Sequence, residues 1–264
     1  MTNITLKDCI VGVWRDVLMA PQRMPFLSLF AFALTLAALA FVHWFNLAVG
    51  HGDAVPGVLA DIGKSRYLRA SFQHLGKIAT VVVAVPLIRS AAPGLLHGDA
   101  SKITPYLRYA LLWLVFINLG VVLGFFIDRL KDILPLIGVS NVSIAATVRT
   151  ARLMTFIGVM YLAGRLVLVF AHVALGGRFE WRAAWRDTNG QFLAVAAVYF
   201  FAGFLPTQIT GEGVFPALTA RVPSVPVALI IATFFCLIAI YVGALSIAWI
   251  YKRFARRIIA ETRH

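Results

Sequence analysis

The sequence predicts an all-α membrane protein, a polytopic bundle of about six transmembrane helices with interfacial amphipathic helices on its cytoplasmic side. Hydrophobic residues make up 61% of the 264 residues and charged residues only 13%, whereas soluble domains have about 45–50% and about 25%. The apolar residues fall in long blocks, as transmembrane helices require. The basic residues flank these blocks without forming a soluble basic module, so the net charge of +13 favours membrane orientation over a nucleic-acid partner.

Six apolar blocks are the predicted spans, at residues 26–49, 77–96, 106–127, 151–175, 190–206 and 225–251. Most reach the roughly 20 residues that cross about 30 Å of hydrocarbon. The fifth is the shortest, and the second contains Pro86 and Pro93, which predict a kink or a break. The chain therefore divides into a cytoplasmic amphipathic interfacial helix at 1–25, a six-helix transmembrane domain at 26–251 and a basic cytoplasmic tail at 252–264.

The distribution of lysine and arginine predicts the orientation of this bundle. Six spans place both termini on one side, and that side carries the larger share of the basic residues. The connection between the fourth and fifth spans is far more basic than the connection between the fifth and sixth. Because cytoplasmic loops carry an excess of Lys and Arg, we expect both termini in the cytoplasm.

The segment FEWRAAWRDTNGQF at residues 179–192 separates two strongly apolar blocks. On a helix its aromatic residues form one stripe and its arginines an adjacent stripe. This pattern predicts an interfacial helix, with the aromatic rings at headgroup depth and the guanidinium groups toward lipid phosphates. The aromatic stripe contains Trp181, Trp185, Thr188 and Phe192, and the basic stripe contains Arg178, Arg182 and Arg186.

The N-terminal helix predicted at residues 1–25 uses the same device, with an apolar face made of Leu6, Ile10, Val13, Trp14, Val17 and Leu18. Its sequence VWRD at 13–16 is similar to AWRD at 184–187 and, more loosely, to YLRY at 106–109. Each copy precedes a span that runs outward. This similarity suggests three parallel units, each an interfacial segment followed by a helical hairpin.

Arg89 and Arg165 are charges placed inside predicted spans, which is costly in a membrane. The central parts of the spans contain no Asp or Glu that could pair with them. Three alternatives remain open. The two side chains could snorkel to the headgroups, could cap backbone carbonyls at a broken helix near Pro86 or Gly164, or could face a shared cavity and bind an anion such as a lipid phosphate.

No motif for nucleophilic, zinc-dependent or nucleotide-dependent catalysis occurs in a usable context. We therefore expect no enzyme activity, no catalytic residue, no metal site and no cofactor. The two cysteines, Cys9 and Cys236, lie near the N-terminus and within the last apolar block, so no disulfide framework is predicted. The missing intramembrane carboxylates also argue against a proton-coupled or sodium-coupled transporter.

The stretch from Arg165 through Gly176-Gly177 and Ala184-Trp185 to Thr188-Asn189-Gly190 resembles a signature in the membrane domains of some bacterial glycerophosphoryl diester phosphodiesterases and in related six-span inner-membrane proteins. Ala184 stands where the family has serine, and the proline expected after the arginine is missing. The resemblance covers a small part of the chain. It implies a six-helix, multi-pass domain of a bacterial inner membrane that sits among lipids, without the catalytic residues of the phosphodiesterase domain.

These observations lead to one functional expectation with two alternatives. We expect a non-enzymatic inner-membrane protein that binds or organises anionic phospholipid, or a membrane-protein partner or second copy, at its cytoplasmic face. The expected phosphate-facing residues are Arg89, Arg165, Arg178, Arg182 and Arg186, with Trp181 and Trp185 setting their depth. The alternatives are a channel or permease for a small solute, with a cavity lined by Arg89 and Arg165, and an accessory subunit of a larger membrane complex.

Overall fold

The structure is a computed structural model that describes residues 5–51, 78–95, 103–138, 140–204 and 224–261. Every regular element in these ranges is a helix, which confirms the predicted all-α class for the part of the chain described. Short 3₁₀ turns cover Pro93–Leu95 and Leu134–Ile137, and a π-helical segment covers Tyr199–Phe204. The helices are α1 Leu6–Arg23, α2 Pro25–His51, α3 Ile78–Ala91, α4 Thr104–Ile133, α5 Asn141–Ala174, α6 Trp181–Thr188, α7 Phe192–Val198, α8 Val225–Phe254 and α9 Arg256–Glu261.

Within the described ranges, three helical stretches are long and apolar enough to cross a membrane, namely Thr104–Ile137, Ser143–Ala174 and Val225–Phe254. They coincide with the predicted third, fourth and sixth spans. A fourth is added if α1 and the first part of α2, which meet at 97°, are counted as one broken span. The apolar stretches Val81–Ala91 and Phe192–Phe201 are shorter, so the described parts of the second and fifth predicted spans do not reach membrane-spanning length. Residues 52–77, 96–102 and 205–223 lie outside the described ranges.

Helix α8 lies at the centre of the fold and contacts α1, α2, α3, α5 and α7. The main hydrophobic core is concentrated where the last turns of α5 and the following Leu175 pack beside the second half of α8. We call this the basal end of the bundle, defined by Ala174 at the end of α5 and Phe254 at the end of α8. Small residues on α8, among them Ala244 and Ala248, are almost fully buried and allow its neighbours to approach closely.

Helices α4 and α5 form an antiparallel hairpin that reaches the opposite end of the bundle. We call this the distal end, defined by Ile133 at the end of α4 and Asn141 at the start of α5. In the most apolar part of this α4 stretch, none of the described side chains is buried inside the protein, and Leu136 is 83% exposed. Apolar surface of this extent requires a non-aqueous environment, which the hydrocarbon of a membrane provides.

Helix α1 begins with a capping box, in which Thr5 and Asp8 satisfy each other's backbone amides. Its buried face contains Cys9, Gly12, Val13, Asp16, Val17 and Ala20, and this face packs against α8. The predicted apolar face is therefore only partly the docking face, because Trp14 and Leu18 are 38% and 73% exposed. The sequence could not separate a face that contacts protein from one that contacts lipid, since both are apolar.

The contact between α1 and α8 depends on the absence of a side chain at Gly12. A β-carbon there would lie only 2.6 Å from Trp249 Cε2 and 2.7 Å from Cη2. The indole is fixed in this position because its Nε1 donates a hydrogen bond to Asp16 Oδ2 at 3.0 Å and Lys252 Nζ lies 4.3 Å from the ring centroid. The ring therefore has little freedom to give way.

We expect Gly12→Ala to weaken docking of α1 by about 1–3 kcal/mol, the usual cost of overpacking a core. Cys9, which is fully buried one turn before Gly12, reports the change. In a Cys236→Ser background, Cys9 should react with a maleimide faster in Gly12→Ala than in the parent protein. Val11→Ala is the control, because Val11 is 56% exposed. Equal labelling rates in all three proteins would contradict the described packing of α1.

The C-terminal segment, predicted as a basic cytoplasmic tail at 252–264, is helical over most of its described part. Helix α8 continues to Phe254, and α9 follows after Ala255 and packs against α6. Ile258 is fully buried. The Asp187 carboxylate at the end of α6 accepts hydrogen bonds from the backbone amides of Arg257 at 2.9 Å and Ile258 at 3.0 Å, so it caps the first turn of α9. Residues 262–264 lie outside the described ranges.

Candidate functional site

At the basal end, α5 stops in a Schellman motif built on two glycines. Gly176 has a φ of 97°, a left-handed conformation that glycine adopts without strain. Its amide donates to the carbonyl of Val173 at 3.0 Å, and the Gly177 amide donates to the carbonyl of His172 at 2.9 Å. The motif turns the chain sharply, so that α6 follows after a short non-helical link.

Two arginine side chains donate hydrogen bonds to backbone carbonyls at the C-terminal end of α5. Arg89 Nε of α3 donates to the carbonyl oxygen of Ala174 at 2.8 Å, and Arg108 Nη1 of α4 donates to that of Gly177 at 3.4 Å. The Arg89 guanidinium also lies 4.9 Å from the ring centroid of Tyr106. Cations at a helix C-terminus are favoured by the partial negative charge there. Arg89 thus contacts a backbone carbonyl, as one alternative predicted, but at the end of α5 rather than at a break near Pro86.

Arg165 lies inside the protein and is only 9% exposed. Its Nε donates to the hydroxyl of Tyr161 at 3.1 Å and its Nη1 to Thr188 Oγ1 at 3.3 Å. Its guanidinium carbon lies 5.0 Å from the ring centroid of Trp185 and 5.3 Å from that of Phe192. This aromatic cage holds the cation without a carboxylate among the described residues. The burial of Arg165 and these contacts do not fit a side chain that snorkels to the lipid headgroups.

Arg89 and Arg165 share no hydrogen-bond or aromatic partner within the described ranges. Arg89 lies against Tyr106 and the end of α5, whereas Arg165 lies against α6 and the start of α7. The shared cavity that the permease alternative needs has no support from these contacts.

Helix α6 is shorter than the sequence pattern suggested. It begins at Trp181, so Arg178 lies in the preceding link and Phe192 lies beyond the turn that follows. The predicted stripes are therefore not continuous on one helix. The two tryptophans also separate: Trp181 is 48% exposed, whereas Trp185 packs against Tyr161, with ring centroids 5.9 Å apart. Trp185 belongs to the cage around Arg165 and not to a row of rings at the surface.

The exposed arginines of this region form what we call the basic surface, consisting of Arg178, Arg182, Arg186, Arg256 and Arg257, all exposed. The first three were predicted. The last two lie beside them because Asp187 holds the start of α9 against α6. The only sequence signal for this arrangement is the pattern of two arginines before Ile258 and Ile259, which is typical of an amphipathic turn.

A buried polar pair lies beneath the basic surface. His172 and Tyr251 are both fully buried and share a hydrogen bond of 2.8 Å between the imidazole Nδ1 and the phenolic oxygen. Their rings are stacked with centroids 6.0 Å apart. This pair joins the ends of α5 and α8. The sequence alone does not reveal this pair, because the two residues are far apart along the chain.

Within the described ranges, no three His, Cys, Asp or Glu side chains lie close enough together to hold a metal ion. The polar groups at the basal end instead bond to one another and to helix ends, and the basic surface is left facing outward. No protein-family model, curated protein or solved structure shows significant similarity to this chain, so the family resemblance from Arg165 to Gly190 stays a prediction.

Proposed function

We propose that this chain is a non-enzymatic, six-span protein of a bacterial inner membrane that binds anionic phospholipid with the basic surface at its cytoplasmic face. The observation that carries the proposal is the exposure of five arginines beside an exposed tryptophan, at one end of a strongly apolar helix bundle. Among the described residues, Arg178, Arg182, Arg256 and Arg257 form no ion pair. Their guanidinium groups are therefore available to phosphate oxygens.

Trp181 supports a lipid rather than a soluble anion. Its ring lies 5.4 Å from the guanidinium carbon of Arg182, so an amphipathic ring and a cation occupy the same patch. Tryptophan favours the depth of the lipid headgroups, where its apolar body and its N–H group are both accommodated. A soluble anion would gain nothing from this exposed ring. The proposal assigns Arg89, Arg165 and Trp185 a different task, which is to hold α3, α5 and α6 in place beneath the surface.

The test replaces three exposed arginines together, Arg178→Gln, Arg182→Gln and Arg186→Gln. Each basic residue near an anionic membrane contributes about 1 kcal/mol, so we expect about a hundredfold weaker binding of phosphatidylglycerol or cardiolipin. The measurement is native mass spectrometry of the full chain, titrated with each lipid after gentle extraction. Phosphatidylcholine, which has no net charge, should bind equally to the parent and the variant.

The matched control replaces the same three residues with lysine, which keeps the charge and removes the bidentate fork. We expect the lysine variant to retain most of the anionic-lipid binding. Unchanged binding in the glutamine variant would refute the proposal. A protein partner recovered in fixed stoichiometry in place of lipid would identify the chain as a subunit of a membrane complex.

A further inference from the structure

A second cluster of cations lies at the distal end, far along the hairpin from the basic surface. It lines a groove of about 520 Å³ between the end of α4 and the first turns of α5. The polar wall consists of Lys131, Arg149 and Arg152, and the apolar wall includes Pro135, Ile144 and Val148. The groove therefore combines cationic side chains with an apolar surface.

The charges in the groove are not balanced. Asp128 is the carboxylate that faces these cations, and it pairs with both Lys131 Nζ at 3.4 Å and Arg152. Arg149 forms no ion pair among the described residues and lies one helical turn before Arg152. The neighbouring Asp132 pairs with Arg129, which does not line the groove. Three cations share one carboxylate, so the groove attracts an anion.

A small hydrophobic cluster lies beneath the groove. Ile127, Ile144 and Val148 are each at most 8% exposed and pack together, separately from the main core. This packing fixes the backbone that carries the cationic side chains, because Arg149 directly follows Val148 and Arg152 lies one turn later. The backbone that carries Arg149 and Arg152 is therefore held in place by the packing of α4 against α5.

The residues around the groove indicate that the bound anion is the headgroup phosphate of a lipid. Leu136 and Ile137, which follow Pro135 in the chain, are 83% and 70% exposed, and Leu153, which follows Arg152, is 54% exposed. A free phosphate would contact only the cations, whereas the glycerol and acyl chains of a phospholipid would also cover exposed apolar side chains of this kind. The same helices are long and apolar enough to cross a membrane, which brings their ends to headgroup depth.

We propose that this distal groove binds the phosphate of an anionic phospholipid, with Arg149 and Lys131 as its principal ligands and Arg152 held beside them by Asp128. The proposal goes beyond binding at the basic surface, because it uses different residues at the other end of the same helices. Anionic lipid is then held in both leaflets, and failure at one end leaves the other proposal standing.

The experiment uses the full chain with Arg178→Gln, Arg182→Gln and Arg186→Gln, so that the basic surface binds about a hundredfold more weakly and the remaining binding reports mainly on the distal groove. Phosphatidylglycerol is titrated and followed by native mass spectrometry. Adding Arg149→Gln and Lys131→Gln should weaken the remaining binding about tenfold or more, since two charge-assisted contacts are lost. Arg129→Gln is the control, because Arg129 lies on the same helix end but outside the groove. Equal affinity in the groove variant and the control would overturn the proposal.

Two further arms identify the ligand and guard against a folding defect. Glycerol 3-phosphate carries the same phosphate without acyl chains, and it should compete at least a hundredfold less well than phosphatidylglycerol. Competition at similar concentrations would overturn the lipid assignment in favour of a soluble anion. Ala145→Phe places a ring in the groove while leaving every cation in place, so it should also weaken binding, and full binding in this variant would count against the site.

Discussion

Replacing Gly177 with alanine is expected to lower the free energy of unfolding by about 3 kcal/mol, in the upper range for single substitutions. A β-carbon at this position would overlap the imidazole ring of His172. The ring cannot swing aside because His172 is fully buried and hydrogen-bonded to Tyr251. The backbone of Gly177 is also fixed, since its amide bonds to the carbonyl of His172 and its carbonyl accepts from Arg108.

Two other glycines separate this steric effect from backbone effects. Gly158 lies in α5, and a β-carbon added to it would meet no atom within 4 Å, so Gly158→Ala should be neutral or stabilising by up to about 1 kcal/mol. Gly190 also has open space but a φ of 77°, so Gly190→Ala isolates the cost of left-handed backbone, about 1 kcal/mol. The measurement is unfolding in mixed micelles followed by circular dichroism. Equal stability of Gly177→Ala and Gly158→Ala would refute the packing of His172 on this turn.

The parts of the fold that were predictable are those decided by hydropathy. The spans at 106–127, 151–175 and 225–251 appear as long apolar helices, because a block of about 20 apolar residues has few alternatives to a helix in a membrane. Helix α7 is different. Its apolar residues were expected to cross as a fifth span at 190–206, but the described part is a short helix followed by a π-helical segment, and hydropathy does not measure such local irregularity.

The parts that were not predictable are those decided by contacts between distant residues. Trp181 and Trp185 share one helical stripe, yet only Trp185 turns inward, because Arg165 and Tyr161 lie beneath it. The periodicity of α6 cannot reveal a partner on α5. The same holds for Asp187, whose bonds to α9 bring Arg256 and Arg257 beside α6. The charge pattern predicted Arg178, Arg182 and Arg186 in the candidate site, whereas tertiary packing added two further arginines to it.

The threefold similarity of VWRD, AWRD and YLRY stays a prediction, and the structure supplies a physical comparison of the first two copies. Val13 and Ala184 are both fully buried. The aspartates both bond to the C-terminal part of the chain, Asp16 to the indole of Trp249 and Asp187 to the amides of α9. The first copy thus docks on α8 and the second on α9. The arginine of each copy, Arg15 or Arg186, is exposed.

Arg165→Ala is the second substitution with a large expected effect, a loss of about 3 kcal/mol in the free energy of unfolding. The change removes a desolvated cation that lies over several rings, where each contact is worth up to about 2 kcal/mol, and it leaves a cavity between α5 and α6. Thr188 does not lose all of its bonds, because its hydroxyl also donates to the carbonyl of Ala184 at 3.0 Å. The loss therefore comes mainly from packing and the cation–π contacts.

Arg165→Met separates a structural role from a ligand-binding one. Methionine fills most of the same volume with an apolar chain, and exchanging a buried charge for a well-packed apolar group is often close to neutral. If Arg165 only holds α6 against α5, the methionine variant should recover most of the stability and should retain phosphatidylglycerol as the parent does. If Arg165 instead contacts lipid phosphate, the methionine variant should be stable but bind phosphatidylglycerol about tenfold more weakly. Native mass spectrometry and unfolding in mixed micelles on the same three proteins decide between them, and the burial of Arg165 within its aromatic cage leads us to expect the first result.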